Sequence, residues 1–103
     1  MTGRKEWNRY IDMVCLDWGM HPEQIDEPPS AKAMLMAVHW MLYCRDRRVS
    51  PPDEVSPDGF CGIVANNRMA NGIVESMTFF ADGTCELKRC RGSRVLSRLT
   101  VVK

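Results

Sequence analysis

No apolar run in this 103-residue chain comes near the roughly 18 uninterrupted residues of a membrane-spanning helix. The longest runs only from Ala33 to Val38, so the reading is of a protein without a membrane segment. Met1 to Trp7 is charged and lacks the apolar h-region of a secretory leader. Five cysteines (Cys15, Cys44, Cys61, Cys85, Cys90) are odd in number, and none forms a Cys-x-x-Cys pair. That argues against a disulfide framework and for reduced thiols in the cytoplasm. Aromatic residues are missing from the last 23 positions, which removes base stacking from whatever that segment does.

Histidine is scarce too. His21 follows Gly19-Met20 in a proline-punctuated stretch, and His39 lies in a strongly helical one. Neither stands at zinc-ligand spacing from a cysteine. Cys44 and His39, five apart on a helix, point about 140° away from each other, a poor arrangement for a nucleophile and its base. No catalytic, metal or cofactor residue is assigned, and the expectation is a non-enzymatic protein.

What is present is an uneven distribution of charge. The net charge of +1 hides a basic end. Residues 84–103 hold six basic side chains against one acid, a net of +5, and residues 1–83 hold eight against twelve, a net of −4. The molecule is expected to be dipolar. Eight methionines suit the filling of irregular core gaps.

Trp7, Ile11, Val14 and Trp18 recur at helical spacing, with Tyr10 and Cys15 beside them, predicting an amphipathic helix over 4–18 that stops at Gly19. Ser30 after Pro28-Pro29 predicts the N-cap of a second helix over 31–47, buried around much of its circumference. Arg45, Arg47 and Arg48 end it, where a helix dipole favours cations. Val49 to Gly59, with its three prolines, reads as an extended crossing segment. Four strands are expected beyond it: one including Cys61–Ala65, then Ile73–Phe80, Thr84–Arg91 and Arg94–Val102. The fold class is α+β, a single domain over 1–103 with two helices on one face of a three- to four-stranded antiparallel meander spanning about 60–102.

Asp82-Gly83 is a strong hairpin signal. A three-residue loop, Ala81-Asp82-Gly83, sorts apolar from polar side chains better than a two-residue turn, because a slip of one residue inverts every position. It predicts Phe79 opposite Cys85, Met77 opposite Leu87 and Glu75 opposite Arg89. The same reasoning at Arg91-Gly92-Ser93 places Glu86 opposite Arg98. The inner face then holds Ile73, Met77, Phe79, Cys85, Leu87, Val95, Leu99 and Val101. The outer face is mixed, with Val74, Phe80, Leu96 and Val102 among Ser76, Thr78, Lys88 and Arg98.

The stretch Asp17-Trp18-Gly19, then Pro28-Pro29-Ser30 opening a helix, then Pro51-Pro52-x-x-Val55-x-Pro57-Asp58-Gly59 and Gly62-Ile63-Val64 resembles a group of small bacterial proteins. In those, a Trp-Asp-Gly turn, a Pro-Ser helix start and a Pro-x-x-Asp-Gly-Gly strand start recur. Here Asp and Trp stand in reversed order, and Cys61 replaces the first glycine of the pair. The resemblance implies the α+β order and carries over no functional residue.

Two functional expectations result. The first is an interaction module that self-associates through an open sheet face, with Val74, Phe80 and Leu96 as candidates, or through an edge strand. The basic hairpin would then serve an acidic partner protein, or the acidic 23–27 segment of a second copy. The alternative is nucleic-acid binding through a basic patch of Lys88, Arg91, Arg94 and Arg98 on the last hairpin.

Overall fold

A computed structural model describes residues 3–101 of the chain, and for Val101 the backbone alone. Two helices precede a five-stranded antiparallel sheet whose order follows the sequence, a simple meander. The expected placements of Val102 and Lys103 lie outside the described residues.

Helix α1 (Arg4–Asp12) continues into a π-helical turn, Met13–Trp18. Its wider winding is marked by Gly19 donating its N–H to Val14 O, a five-residue step. Trp7, Tyr10, Val14 and Trp18 are buried, while Ile11 packs at the margin of the core. Gly19 does not stop the helix: at φ −74° and ψ −37° it remains helical, so Asp17-Trp18-Gly19 is a helical segment and not a turn. Trp7 and Trp40 meet in a T-shaped pair, and Trp40 in turn leans on Phe79. Two polar groups on this side are satisfied by the crossing segment. Trp7 Nε1 donates to Val49 O at 2.7 Å, and Tyr10 OH donates to Pro52 O at 3.0 Å.

Helix α2 (Ala31–Asp46) is capped as expected, with Ser30 Oγ accepting from Ala33 N at 3.1 Å. The same hydroxyl donates to Ala81 O at 2.7 Å, so a single serine ties the helix start to the central hairpin loop. Ala33, Ala37, Met41 and Cys44 form a buried stripe. The helix is less enclosed than its composition suggests, since Leu35 and Tyr43 are exposed. It packs against β2 and β3, whereas α1 packs chiefly on α2. Of the two helices, α2 makes the closer backbone approach to the sheet, and both contribute to one core cluster with it.

The strands are β1 (Glu54–Pro57), β2 (Ile63–Arg68), β3 (Ile73–Phe79), β4 (Cys85–Arg91) and β5 (Arg94–Val101). Five strands replace the expected three or four, because part of the proline-rich crossing segment is itself β1. Proline is tolerated there for a geometric reason. Asp58 N donates to Gly62 O, so residues 54, 56 and 58 point their backbone groups at β2 and Pro57 faces the open edge, where a missing N–H costs nothing. The strand after it starts at Ile63, not Cys61, and runs on to Arg68, into what was expected to be loop.

The β3–β4 register is the expected one, with Phe79↔Cys85, Met77↔Leu87 and Glu75↔Arg89. Gly83 takes φ 92° and donates its N–H to Phe80 O, a left-handed position at which glycine is favoured. Phe79 is 1% exposed and Phe80 36%, so adjacent phenylalanines part to opposite sides.

The last hairpin differs from expectation. Its turn has two residues, Gly92-Ser93, with Arg91 opposite Arg94, and a bulge shifts the register between Arg89 and Cys90. Leu99 consequently faces Leu87, and Glu86 faces Thr100 rather than Arg98. Ser97 and Leu99 keep the inner-face phase, but beyond the bulge Val95 pairs with Cys90. Val95 therefore belongs to the outer face, a correction caused by the extra residue.

Candidate interaction surface

The core cluster takes in Val55, Ile63, Ala65, Phe79 and Cys85 from the sheet, with Met77 packed against it. It stops there. Residues 91–100 are all exposed, and Leu99 is 60% exposed although it shares the inner-face row of Val55, Ala65, Met77 and Leu87. The β5 strand thus overhangs the helical layer, paired with β4 along its length apart from the bulge, and is open on both faces.

Backbone alternation tells which groups at its free edge lack a strand. Phe80 N donates to Thr84 O, so even-numbered residues of β4 bond to β3 and odd-numbered ones to β5. Across from them, Val101, Leu99 and Ser97 of β5 bond inward, leaving the N–H and C=O of Arg98 and Thr100 aimed at the open side.

The opposite edge is built differently. β1 has four residues, carries Glu54, ends on Pro57 and follows Pro51-Pro52, all features that discourage strand addition. On β5 the bulge near Val95 and Leu96 and the charge of Arg94 guard the turn-proximal part, and beyond it the one charged side chain through Thr100 is Arg98, which Glu86 offsets.

The candidate face of Val74, Phe80 and Leu96 is not one patch. Phe80 adjoins the β3–β4 loop, and Val74 begins the other end of β3 opposite Cys90, about 20 Å away at strand rise. Leu96 lies in the bulged stretch near Val74's end. Between them the outer face is polar, with Ser76 Oγ bonded to Asn66 Oδ1 at 2.6 Å and Glu86 paired with Arg98.

The basic patch is divided as well. Lys88 and Arg98 are cross-strand neighbours on the outer face, while Arg91 and Arg94 face each other at the turn. Arg98 Nε lies 3.2 Å from Glu86 Oε2, and Arg89 Nε 2.8 Å from Glu75 Oε2. Arg91 Nε donates to Asn71 O at 3.2 Å. Much of the hairpin's positive charge is therefore locally balanced.

Two features escaped sequence reasoning. Phe60, 80% exposed, stands on a loop pinned by Asp58, whose Oδ1 accepts from Phe60 N and Gly62 N at 2.7 and 2.8 Å. The Asp-Gly pair preceding it was a usable signal. Arg4, Arg45 and Arg48 line a cleft of about 820 Å³ with Trp7 and Val49 between the start of α1 and the end of α2. Only their separate places in the sequence were visible beforehand. Arg45 there is already engaged, donating from Nη1 to Asn8 Oδ1 at 2.7 Å.

His21 and His39 are both exposed, and among the described residues no three His, Cys, Asp or Glu side chains gather as a metal site. Burial pushes the Cys44 thiol up, away from the reactive thiolate. Among the described residues no helix is long and apolar enough to cross a membrane. Comparison with protein-family models, with curated proteins and with solved structures finds no match to this chain.

Proposed function

We propose that this protein is a non-enzymatic interaction module of the cytoplasm whose working surface is the overhanging β5 strand, and that its partner is a second copy of the same chain. One observation carries the reading: an eight-residue strand exposed along its described length, with unpaired edge groups and an uncovered Leu99. Exposed regular edges invite strand addition unless they are guarded. Of the two surfaces considered from sequence, the edge is favoured over the open face, because that face is polar between Val74 and Phe80. Surface-accessible Cys15, with thiols at Cys44, Cys61 and Cys90, fits a reducing compartment.

Binding of nucleic acid through Lys88, Arg91, Arg94 and Arg98 is the weaker reading, because Glu86 already neutralises Arg98 and the patch is split. A salt titration against generic DNA and RNA separates the two, since phosphate contacts make affinity fall steeply with salt.

The reading is tested by light scattering over a wide concentration range. A mass that rises toward the dimer with concentration, and remains unaffected by Phe80→Glu, supports it. A strict monomer at the highest concentration removes it.

A further inference from the structure

Building on the self-association reading, we propose that two copies join isologously through residues Ser97–Val101 of β5, antiparallel, with the two-fold axis at Leu99. The symmetry follows from the shape of the edge. The bulge near Val95 and Leu96 interrupts the ladder on the turn side, and beyond it Arg98 and Thr100, whose backbone groups face the open edge, flank Leu99, the leucine the helices leave 60% exposed.

Turning that stretch on itself sets Arg98 opposite Thr100 of the second copy and Ser97 opposite Val101. Arg98 and Thr100 are the residues whose N–H and C=O face the open edge, so each Arg98–Thr100 pair exchanges two backbone hydrogen bonds. Leu99 meets its own copy at a non-hydrogen-bonded position, where Cα atoms approach to about 4.5 Å and side chains are closest. That contact covers the leucine the helices leave open. A register shifted by one step, centred on Arg98, would place two guanidinium groups directly opposite and is disfavoured.

Charge allows the arrangement. Glu86 holds Arg98 at 3.2 Å within each copy, which offsets the one cation inside the paired stretch. Arg94 lies five residues from the axis, so the two Arg94 side chains stand about 33 Å apart at strand rise, beyond the screening length at physiological salt. The contact is smaller than the roughly 1,200–2,000 Å² of a stable interface, so the dimer is a weak, concentration-dependent one.

Cysteine cross-linking tests the register. Leu99→Cys and Leu96→Cys both alter exposed residues and leave the core untouched. Each variant is oxidised with copper phenanthroline, and the linked peptides are identified by mass spectrometry, which separates the new bond from any through Cys15. Position 99 meets its copy within disulfide reach, whereas the two copies of position 96 are about 20 Å apart. The Leu99→Cys variant is expected to form its symmetric disulfide at least tenfold faster than the Leu96→Cys variant forms its own. Equal rates, or a faster link in Leu96→Cys, overturn the register even if light scattering shows a dimer. Absence of any concentration-dependent dimer overturns the self-association reading itself, and the register with it.

Discussion

Arg98 Nε sits 3.2 Å from Glu86 Oε2 across the last hairpin although neither residue faces the other in register: Glu86 lies opposite Thr100 and Arg98 opposite Lys88. The pair is diagonal, and it relieves the contact between Arg98 and Lys88. In the dimer proposed above, the two Arg98 side chains are themselves diagonal neighbours at about 7–8 Å. Glu86→Gln removes their counter-charge and exposes a repulsion of about 0.5 kcal/mol in water. The dissociation constant from sedimentation equilibrium is expected to rise about two- to threefold, and added salt to reverse part of the loss.

The two adjacent phenylalanines predict opposite outcomes. Phe79 is buried against Trp40, and Phe79→Ala is expected to cost about 3–5 kcal/mol in denaturant unfolding. Phe80→Ala changes a partly exposed ring and is expected to cost under about 1 kcal/mol. Similar costs for both would contradict the placing of the two rings on opposite sides of the sheet.

That hairpin also makes stability depend on pH. Hydrogen bonds from Thr84 N (2.9 Å) and Thr84 Oγ1 (2.7 Å) to Asp82 Oδ1 hold the Asp82 carboxyl below its ordinary range, the Thr84 backbone N–H contributing most. A depressed carboxyl stabilises the fold above its unfolded-state value, and the gain is lost as pH falls through the lowered one. Wild type and Asp82→Asn are therefore expected to differ in melting temperature at neutral pH and to converge in acid. A gap that widens in acid would contradict this.

Cysteine reactivity follows burial. Cys44 is buried and its thiol pushed up, while Cys15 is exposed. Alkylation of the native protein at neutral pH, mapped by mass spectrometry, is expected to modify Cys15 well before Cys44. Early modification of Cys44 would mean that the α2 stripe opens readily.

These expectations divide according to what a sequence can carry. The central hairpin was legible because Asp82-Gly83 limits the turn to two lengths, and only one of them sets Phe79 and Met77 opposite the apolar Cys85 and Leu87. Ser30 was legible because an N-cap is a local device. β1 was hidden by Pro57, whose cost vanishes only because its nitrogen faces an open edge, a fact of pairing rather than of sequence. The bulge was hidden because Val95 and Leu96 are both apolar, so either could occupy the inner face. The overhang of β5 was hidden for a different reason. Alternation says which face Leu99 belongs to, but not how far the helices extend over that face.

The most direct test of the account is amide hydrogen exchange at single-residue resolution by NMR, at low and high protein concentration. Leu99 N–H is bonded to Leu87 within one copy and should exchange slowly at both. Arg98 and Thr100 N–H face the open edge, so in a β5-linked dimer they exchange fast when dilute and markedly more slowly as concentration rises. Fast exchange of Arg98 and Thr100 at every concentration would contradict that dimer.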